Sequence, residues 1–405
     1  MIVMLHAPIR IALRALSTFY TPQKPLTFSG PDAARKLADL MVVNGQRRPL
    51  IVTDSFLLQN GMLDDLITFL KGRGCHVTTF DGIIPNPTFA VVEAGLKASL
   101  DNKCDAVFAV GGGSAIDAAK VIAAASTSRK SVKKLTGTLK GDAPLLPFYV
   151  VPTTSGTGSE VTNAAVISDT ETHKKKFFVD PKYIPIAAAF DTGLLKSLPA
   201  PMTAATGMDA LTHAIEAYTS RNRFDDTDRD AAMAIKLLFE YLPIAYENGH
   251  DEHAREMVAL ASFLAGFSFT KASLGYVHAI SHQISAHYNT PHGLANAVIL
   301  PRVLRFNKKT CAARFAQLEQ ILTASASNDT DLLAEQFISR VDALADRVGI
   351  PASLTDLQSK DFGVISSDAL AEARSSYAVP RVMRRSQVTR VLQSVLAGNR
   401  DLTFS

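Results

Sequence analysis

The 405-residue chain has little cysteine: Cys75, Cys104 and Cys311 stand far apart. Neither a CxxC pair nor a disulfide framework can be built from them, which fits a reducing, cytoplasmic setting. Long apolar runs are also missing. No uncharged stretch reaches the ~18 residues that a membrane-spanning helix needs. Charge of one sign is scarce too: 42 Lys+Arg against 38 Asp+Glu leaves +4. That charge forms no basic stripe, so nucleic acid is excluded as the main partner. Several familiar catalytic signatures are absent. There is no GxGxxG fingerprint, no GK[ST] after a glycine turn, no HExxH, and no serine or cysteine nucleophile set beside a base. The opening MIVMLHAPIRIALRALSTFY is apolar but broken by Arg10 and Arg14, with no small-residue cleavage site after it. It reads as an extension packed on the body of the protein, with an amphipathic targeting segment as the alternative.

Hydrophobic residues make up 47% of the chain and charged residues 20%. This composition supports a large core, and the length suits two domains. The first half alternates compact apolar runs with helical patterns. RPLIVTD (48–54), DAVFAV (105–110) and PFYVV (147–151) read as strands; 88–102 and 114–126 read as helices. Such alternation marks an α/β domain with a mostly parallel sheet. Beyond about residue 196 the strand-like runs stop. Apolar residues then recur at three- and four-residue spacing over 202–219, 228–247, 251–268, 272–287, 310–323, 331–348 and 385–397. We therefore expect an α/β Rossmann-like domain over 1–197 and an all-helical domain over 198–405, hinged at Leu198-Pro199-Ala200-Pro201.

Two loops in the first half suit a phosphate-bearing ligand. DAVFAV runs straight into Gly111-Gly112-Gly113-Ser114 and then a helix. Glycines let a diphosphate approach the backbone, and the N–H groups of a helix start attract its charge. A tight turn with no ligand explains the same residues about as well. The second loop, Pro152 to Glu160 (PTTSGTGSE), carries five hydroxyl side chains and two glycines after a strand. It reads as a cradle of donors or as an ordinary polar loop. Asp54, at the end of RPLIVTD, can accept from a ribose diol and repel a 2′-phosphate, favouring NAD over NADP. It can equally cap the next helix.

In the second half, GMDALTHAIEAYTS (207–220) holds Asp209 and His213 four residues apart, on one face of a helix. GYVHAISHQISAHYNTPHG (275–293) repeats that spacing with His278 and His282, then adds His287 and His292. Singly, each reads best as a satisfied core residue. Jointly, a buried carboxylate among histidines is costly unless something compensates its charge, and a divalent metal would do so.

The motifs GGGSAIDAAK (111–120), PTTSGTGSE (152–160), GMDALTHAIEAY (207–218) and HAISHQISAHYNTPHG (278–293) stand in order. On these motifs the chain resembles the iron-containing (group III) NAD-dependent alcohol dehydrogenases over roughly 25–350, with their dehydroquinate synthase-like fold. The resemblance implies a metal held by Asp209, His213, His278 and His292, and a proton-relay role for His282. It implies cofactor contacts from Asp54, Gly112, Gly113, Ser114, Thr153, Thr154, Thr157, Lys175 and Leu194. Its implied cofactors are NAD and Fe2+, although zinc suits an Asp plus three imidazoles as well. The implied reaction is hydride transfer between a small alcohol, or the matching aldehyde or ketone, and NAD(H). The implied setting is a cytoplasmic homodimer with no membrane or nucleic-acid partner. The alternatives on the same fold are a polyol or glycerol dehydrogenase, a maleylacetate reductase-like enzyme and a dehydroquinate synthase-like lyase. Three departures from the family pattern bear on the substrate. Lys271 stands where a small amide is common, His287 replaces a residue that is often small or aromatic, and the segment from Ser375 on lacks the expected asparagine- and glycine-rich signature.

Overall fold

The computed structural model describes residues 23–171 and 174–404. The apolar, arginine-broken N-terminal stretch lies outside the described residues. Two compact units emerge, one from Gln23–Leu198 with Gly249–Phe263, the other from Pro199–Asn248 with the residues from Leu264 on.

The first unit carries β1 (Leu26–Gly30), α1 (Ala33–Val43), β2 (Pro49–Asp54), α2 (Ser55–Gln59), α3 (Asp64–Gly72) and β3 (Thr78–Ile83). It continues with α4 (Phe89–Asp101), β4 (Ala106–Gly111), α5 (Gly113–Ala125), β5 (Gly137–Thr138), β6 (Phe148–Pro152), β7 (Ala164–Asp169), β8 (Lys174–Val179), β9 (Ala187–Asp191) and α6 (Thr192–Leu195). Six strands form one sheet in the order β1-β9-β6-β4-β2-β3, and every pairing in it is parallel. A parallel sheet is covered on both faces, so its strands must be apolar on both. The sequence obeys this rule. Leu50, Val52, Val107, Ala109, Phe148 and Val150 feed one core cluster, while Ile51, Phe108, Val110, Tyr149 and Val151 feed the other. A smaller sheet, β5-β8-β7, stands apart, with β7 and β8 antiparallel.

Strand order decides where a ligand can bind. The chain steps outward from β2 to β3, then returns to the far side of β2 at β4 and continues through β6 to β9. The switch therefore lies between β2 and β4, and the carboxyl ends of these two strands are where a sheet of this order takes a ligand. Those ends carry Asp54 and Gly111.

The helical unit contains α7 (Ala200–Thr219), α8 (Asp225–Glu247), α10 (Tyr276–Tyr288), α11 (His292–Thr323), α12 (Thr330–Arg347), α13 (Phe362–Ser376) and α14 (Arg385–Ala397). Helix α9 (Glu252–Ala272) starts in the first unit and ends in this one. Its first half groups with the sheet through polar contacts. Lys196 Nζ donates to Glu252 at 2.6 Å, Ser29 Oγ to Glu256 at 2.5 Å, and Arg255 Nη2 to the Leu198 carbonyl at 2.8 Å. Within the helical unit, α7 packs on α8 and α11, and α10 packs on α11 and α13. Among the described residues, no single helix is long and apolar enough to cross a membrane.

Candidate metal centre and cofactor loops

Three helices supply the metal candidates. Helix α7 carries Asp209 and His213, α10 carries His278 and His282, and His292 opens α11. The approach of α11 to α7 depends on the residue after His292. A Cβ on Gly293 would sit 2.4 Å from the Ala205 carbonyl oxygen and 3.3 Å from Asp209 Cβ. Only glycine lets the first turn of α11 lie this close to α7, and His292 is placed beside Asp209 as a result.

Donor atoms of Asp209, His278 and His292 all fall within 4.8 Å of one another. Asp209 Oδ1 is 3.7 Å from both His278 Nε2 and His292 Nε2, and 3.9 Å from His213 Nε2. His213 stacks between His278, with ring centroids 4.5 Å apart, and Phe269, 4.4 Å away. His282 lies against His292, with centroids 5.0 Å apart and an interplanar angle of 23°. Thus three of the expected ligands converge most tightly, the fourth stacks on the group, and His282 flanks it.

Burial alone would push the Asp209 carboxyl up. The imidazoles of His213, His292 and His278 instead hold it well below the usual carboxylate range. For His278, burial works downward, but hydrogen bonding to Asp209 and Glu216 raises it to about 9. The field of the site therefore favours positive charge.

Several residues that carry the site were not found from the sequence. Glu216, one turn beyond Thr212 on α7, accepts from the Gly275 and Val277 N–H groups at 2.8 and 2.7 Å and meets His278 Nδ1 at 2.7 Å. It caps α10 and turns His278 Nε2 toward Asp209. Asn296 is fully buried, and its Nδ2 donates to Asp209 Oδ1 at 2.6 Å while lying 3.1 Å from both His278 Nε2 and His292 Nε2. Its Oδ1 is buried without a hydrogen-bond partner. Asp209 Oδ1 and the Nε2 atoms of His278 and His292 thus crowd around one side-chain nitrogen, beside an orphaned oxygen. An Asp with imidazoles is the donor chemistry that a divalent transition metal takes, so the residues fit one. On the far side of His282, Glu372 accepts at 2.6 Å from Nδ1; burial raises this carboxyl, but His282 and Tyr377 bring it below its ordinary value. The signals for these residues were weak. Glu216 lies inside the GMDALTHAIEAY motif, Asn296 four residues after His292, and Glu372 in a helix with no clear apolar stripe.

Lys271 does not face this group. Its Nζ pairs with Asp226 at 2.7 Å and lies 4.4 Å from the centre of the Phe224 ring.

In the sheet unit, the two loops meet. The Thr153 N–H donates to the Gly111 carbonyl at 3.0 Å. A Cβ on Gly112 would lie 3.2 Å from Thr154 Cγ2, and one on Gly113 would lie 2.6 Å from Thr157 Cγ2. Gly112 brings no side-chain cap to α5, and Ser114 sits in its first turn. Asp54 caps α2 by accepting from the Leu57 N–H at 3.0 Å through Oδ1. Its Oδ2 comes within 3.9 Å of where a Gly111 Cβ would stand, so the capping acid also faces the glycine turn. Lys175 lies on β8, opposite Ser168, and Leu194 packs against the core under β9.

Buried charges tie the loops together from behind. Asp117 accepts from Ser159 Oγ at 3.0 Å and from the Val166 N–H at 2.8 Å. Lys120 is fully buried and donates to the Thr162 carbonyl, the Thr162 hydroxyl and the Ala164 carbonyl at 2.9, 2.8 and 2.7 Å.

Comparison with known proteins matches nearly the whole chain to one family. Residues 25–192 match the iron-containing alcohol dehydrogenase family, and residues 203–396 match the C-terminal part of the Fe-containing alcohol dehydrogenase family. The 1,3-propanediol dehydrogenase of Klebsiella pneumoniae is 37% identical over 373 residues, covering 91% of this chain and 96% of that protein. The NAD-dependent methanol dehydrogenase of Bacillus methanolicus is 33% identical over 384 residues, covering 94% and 100%. The crystal structure of a 1,3-propanediol oxidoreductase superposes with a TM-score of 0.89 at 36% identity, covering 93% of this chain and 99% of that one. The chain belongs to the iron-containing alcohol dehydrogenase family.

Proposed function

We propose that the protein is an NAD(H)-dependent dehydrogenase that interconverts a small alcohol and its aldehyde or ketone. A divalent metal, ferrous iron by family membership, is held by Asp209, His213, His278 and His292. The observation that carries this reading is the convergence of Asp209 Oδ1, His278 Nε2 and His292 Nε2 on the Asn296 amide. Relatives named for 1,3-propanediol and methanol support a small alcohol, and one named NAD-dependent supports the cofactor. They do not favour the glycerol dehydrogenase, maleylacetate reductase-like or lyase alternatives.

When bound, the metal supplies a Lewis acid for the alcohol oxygen, and NAD supplies the hydride acceptor. The rest is the work of the chain. Asp209 gives the one negative charge of the ligand set, and Glu216 fixes the tautomer of His278. Gly112, Gly113 and Ser114 present the start of α5 to a diphosphate, while Thr153, Thr154 and Thr157 line the opposite wall. Asp54 Oδ2 receives a ribose hydroxyl and disfavours a 2′-phosphate. Lys175 and Leu194 serve as further cofactor contacts. His282 takes the alcohol proton.

The test is a panel of alcohols and aldehydes read by NADH absorbance, on stripped protein with iron or zinc added back. Turnover restored by metal is expected. Failure of every alcohol–NAD pair to react, with metal and cofactor both bound, would overturn the reading.

A further inference from the structure

Helix α10 presents two histidines one turn apart, and each hands its Nδ1 to a carboxylate from a different helix. His278 meets Glu216 of α7 at 2.7 Å, and His282 meets Glu372 of α13 at 2.6 Å. For His278 the consequence is visible, since Nε2 turns to Asp209. His282 is built the same way, but its ring lies beside His292 rather than among the donor atoms.

Glu372 is itself tightly held. The Tyr377 hydroxyl donates to Oε1 at 2.6 Å, the same oxygen that meets His282, and Gln283 Nε2 donates to Oε2 at 2.7 Å. An ionised carboxylate only accepts, so all three neighbours must be donors. His282 therefore carries a hydrogen on Nδ1, and in the neutral ring that leaves the lone pair on Nε2. With only 16% of its side chain exposed, Glu372 meets little competition from water, and its hydrogen bonds hold their geometry.

We propose that Glu372, seated by Tyr377 and Gln283, is the positioning residue of His282: it holds the ring in the Nδ1–H tautomer, so that Nε2 is the nitrogen offered to the alcohol proton. The functional half of this inference rests on the dehydrogenase reading above; the tautomer half does not.

Two measurements separate them. Nitrogen-15 spectra of histidine-labelled full-length protein, free of metal and substrate and followed across pH, should show the neutral form of His282 as the Nδ1–H tautomer. Glu372→Gln should shift that signal toward a tautomer mixture, because an amide has one acceptor oxygen for three donors. Kinetically, Glu372→Gln should lower kcat about ten- to a hundredfold. Its metal content, NADH affinity and KM for NAD should stay at the wild-type level, with partial recovery in Glu372→Asp. Should Glu372→Gln fail to fold, Tyr377→Phe removes one hydrogen bond to the same oxygen and should give a smaller shift of the same kind. An Nε2–H tautomer in the wild-type protein, or full kcat in Glu372→Gln, would overturn the proposal. If the wild-type protein turned over no alcohol at all, the function would fall, and the tautomer would still be decided by the spectra.

Discussion

The Asn296 side-chain nitrogen and Asp209 Oδ1 stand 2.6 Å apart, and the Nε2 atoms of His278 and His292 close on the same nitrogen at 3.1 Å. A neutral amide is the weakest positive partner such a set can hold. Replacing Asp209 by Asn or His278 by Ala should abolish retention of iron or zinc and with it turnover. The sheet unit should still bind NAD. Elemental analysis beside a cofactor titration checks this, and wild-type metal content in Asp209→Asn would contradict it.

Asp54 both caps α2 and faces the glycine turn, so its two roles must be separated. Glycine is tolerated at a helix N-cap at a cost of only a few tenths of a kcal/mol relative to Asp. Asp54→Gly should therefore leave the melting temperature nearly unchanged and raise NADP use relative to NAD by about tenfold or more. An unchanged ratio of the two kcat/KM values would remove Asp54 from cofactor selection.

Gly113 and Thr157 are in contact across the two loops. In Gly113→Ala the new methyl would stand 2.6 Å from Thr157 Cγ2, so one loop must move. Overpacking of this kind costs about 1–3 kcal/mol. Weaker NAD binding is expected with metal content intact, and the added substitution Thr157→Ala should recover part of it. Isothermal titration with NAD reads both.

The buried charges behind the loops should leave a mark on stability against pH. Burial brings Lys120 from 10.5 down to about 8, against the pull of Asp117 and Glu160. Burial likewise raises Glu160 from 4.5 to about 7. Between pH 8 and 10.5 the unfolded chain holds a Lys120 proton that the folded one lacks, so stability contributed there is complete above 10.5 and lost as pH falls through 8. For Glu160 the folded state holds the extra proton, so its contribution is complete below 4.5 and lost as pH rises through 7. Together they predict a shallow minimum between pH 7 and 8. Lys120→Met should flatten the alkaline rise and destabilise the protein, because three acceptors lose their donor. Urea titrations across pH would show it; an alkaline rise of wild-type size in the variant would refute it.

Much of the fold was legible because its signals are local. RPLIVTD, DAVFAV and PFYVV became β2, β4 and β6 within a residue, and 88–102 and 114–126 became α4 and α5. Among the helices that escaped, α1 and α3 do carry an apolar stripe, with Leu37, Met41, Leu66 and Leu70 buried, but they are short; two others had a weaker signal. Residues 292–309 form the first half of α11, yet they are buried on nearly every side and contain Pro301, so no 3.6-residue pattern stands out. Helix α13 buries Phe362 and Ile365 in its first turn but only Ser366, Ala369 and Ala373 beyond it, so its stripe is thin, and Glu372 went unnoticed with it. The β7–β8 hairpin was also unread, and its lysines mask the alternation.

The sequence alone determined which chemistry was available: an acid and histidines at helical spacing, a glycine turn at a strand end, and a hydroxyl loop after the next strand. Those are properties of residue type and of spacing along one element. Only the tertiary structure decided which of them stand together. The close approach of α11 to α7 at Gly293 brings His292 to Asp209. Glu216 and Glu372 reach their histidines from 62 and 90 residues away. Side chains that far apart in sequence meet only because packed helices put them within hydrogen-bond range, and no local pattern encodes that distance.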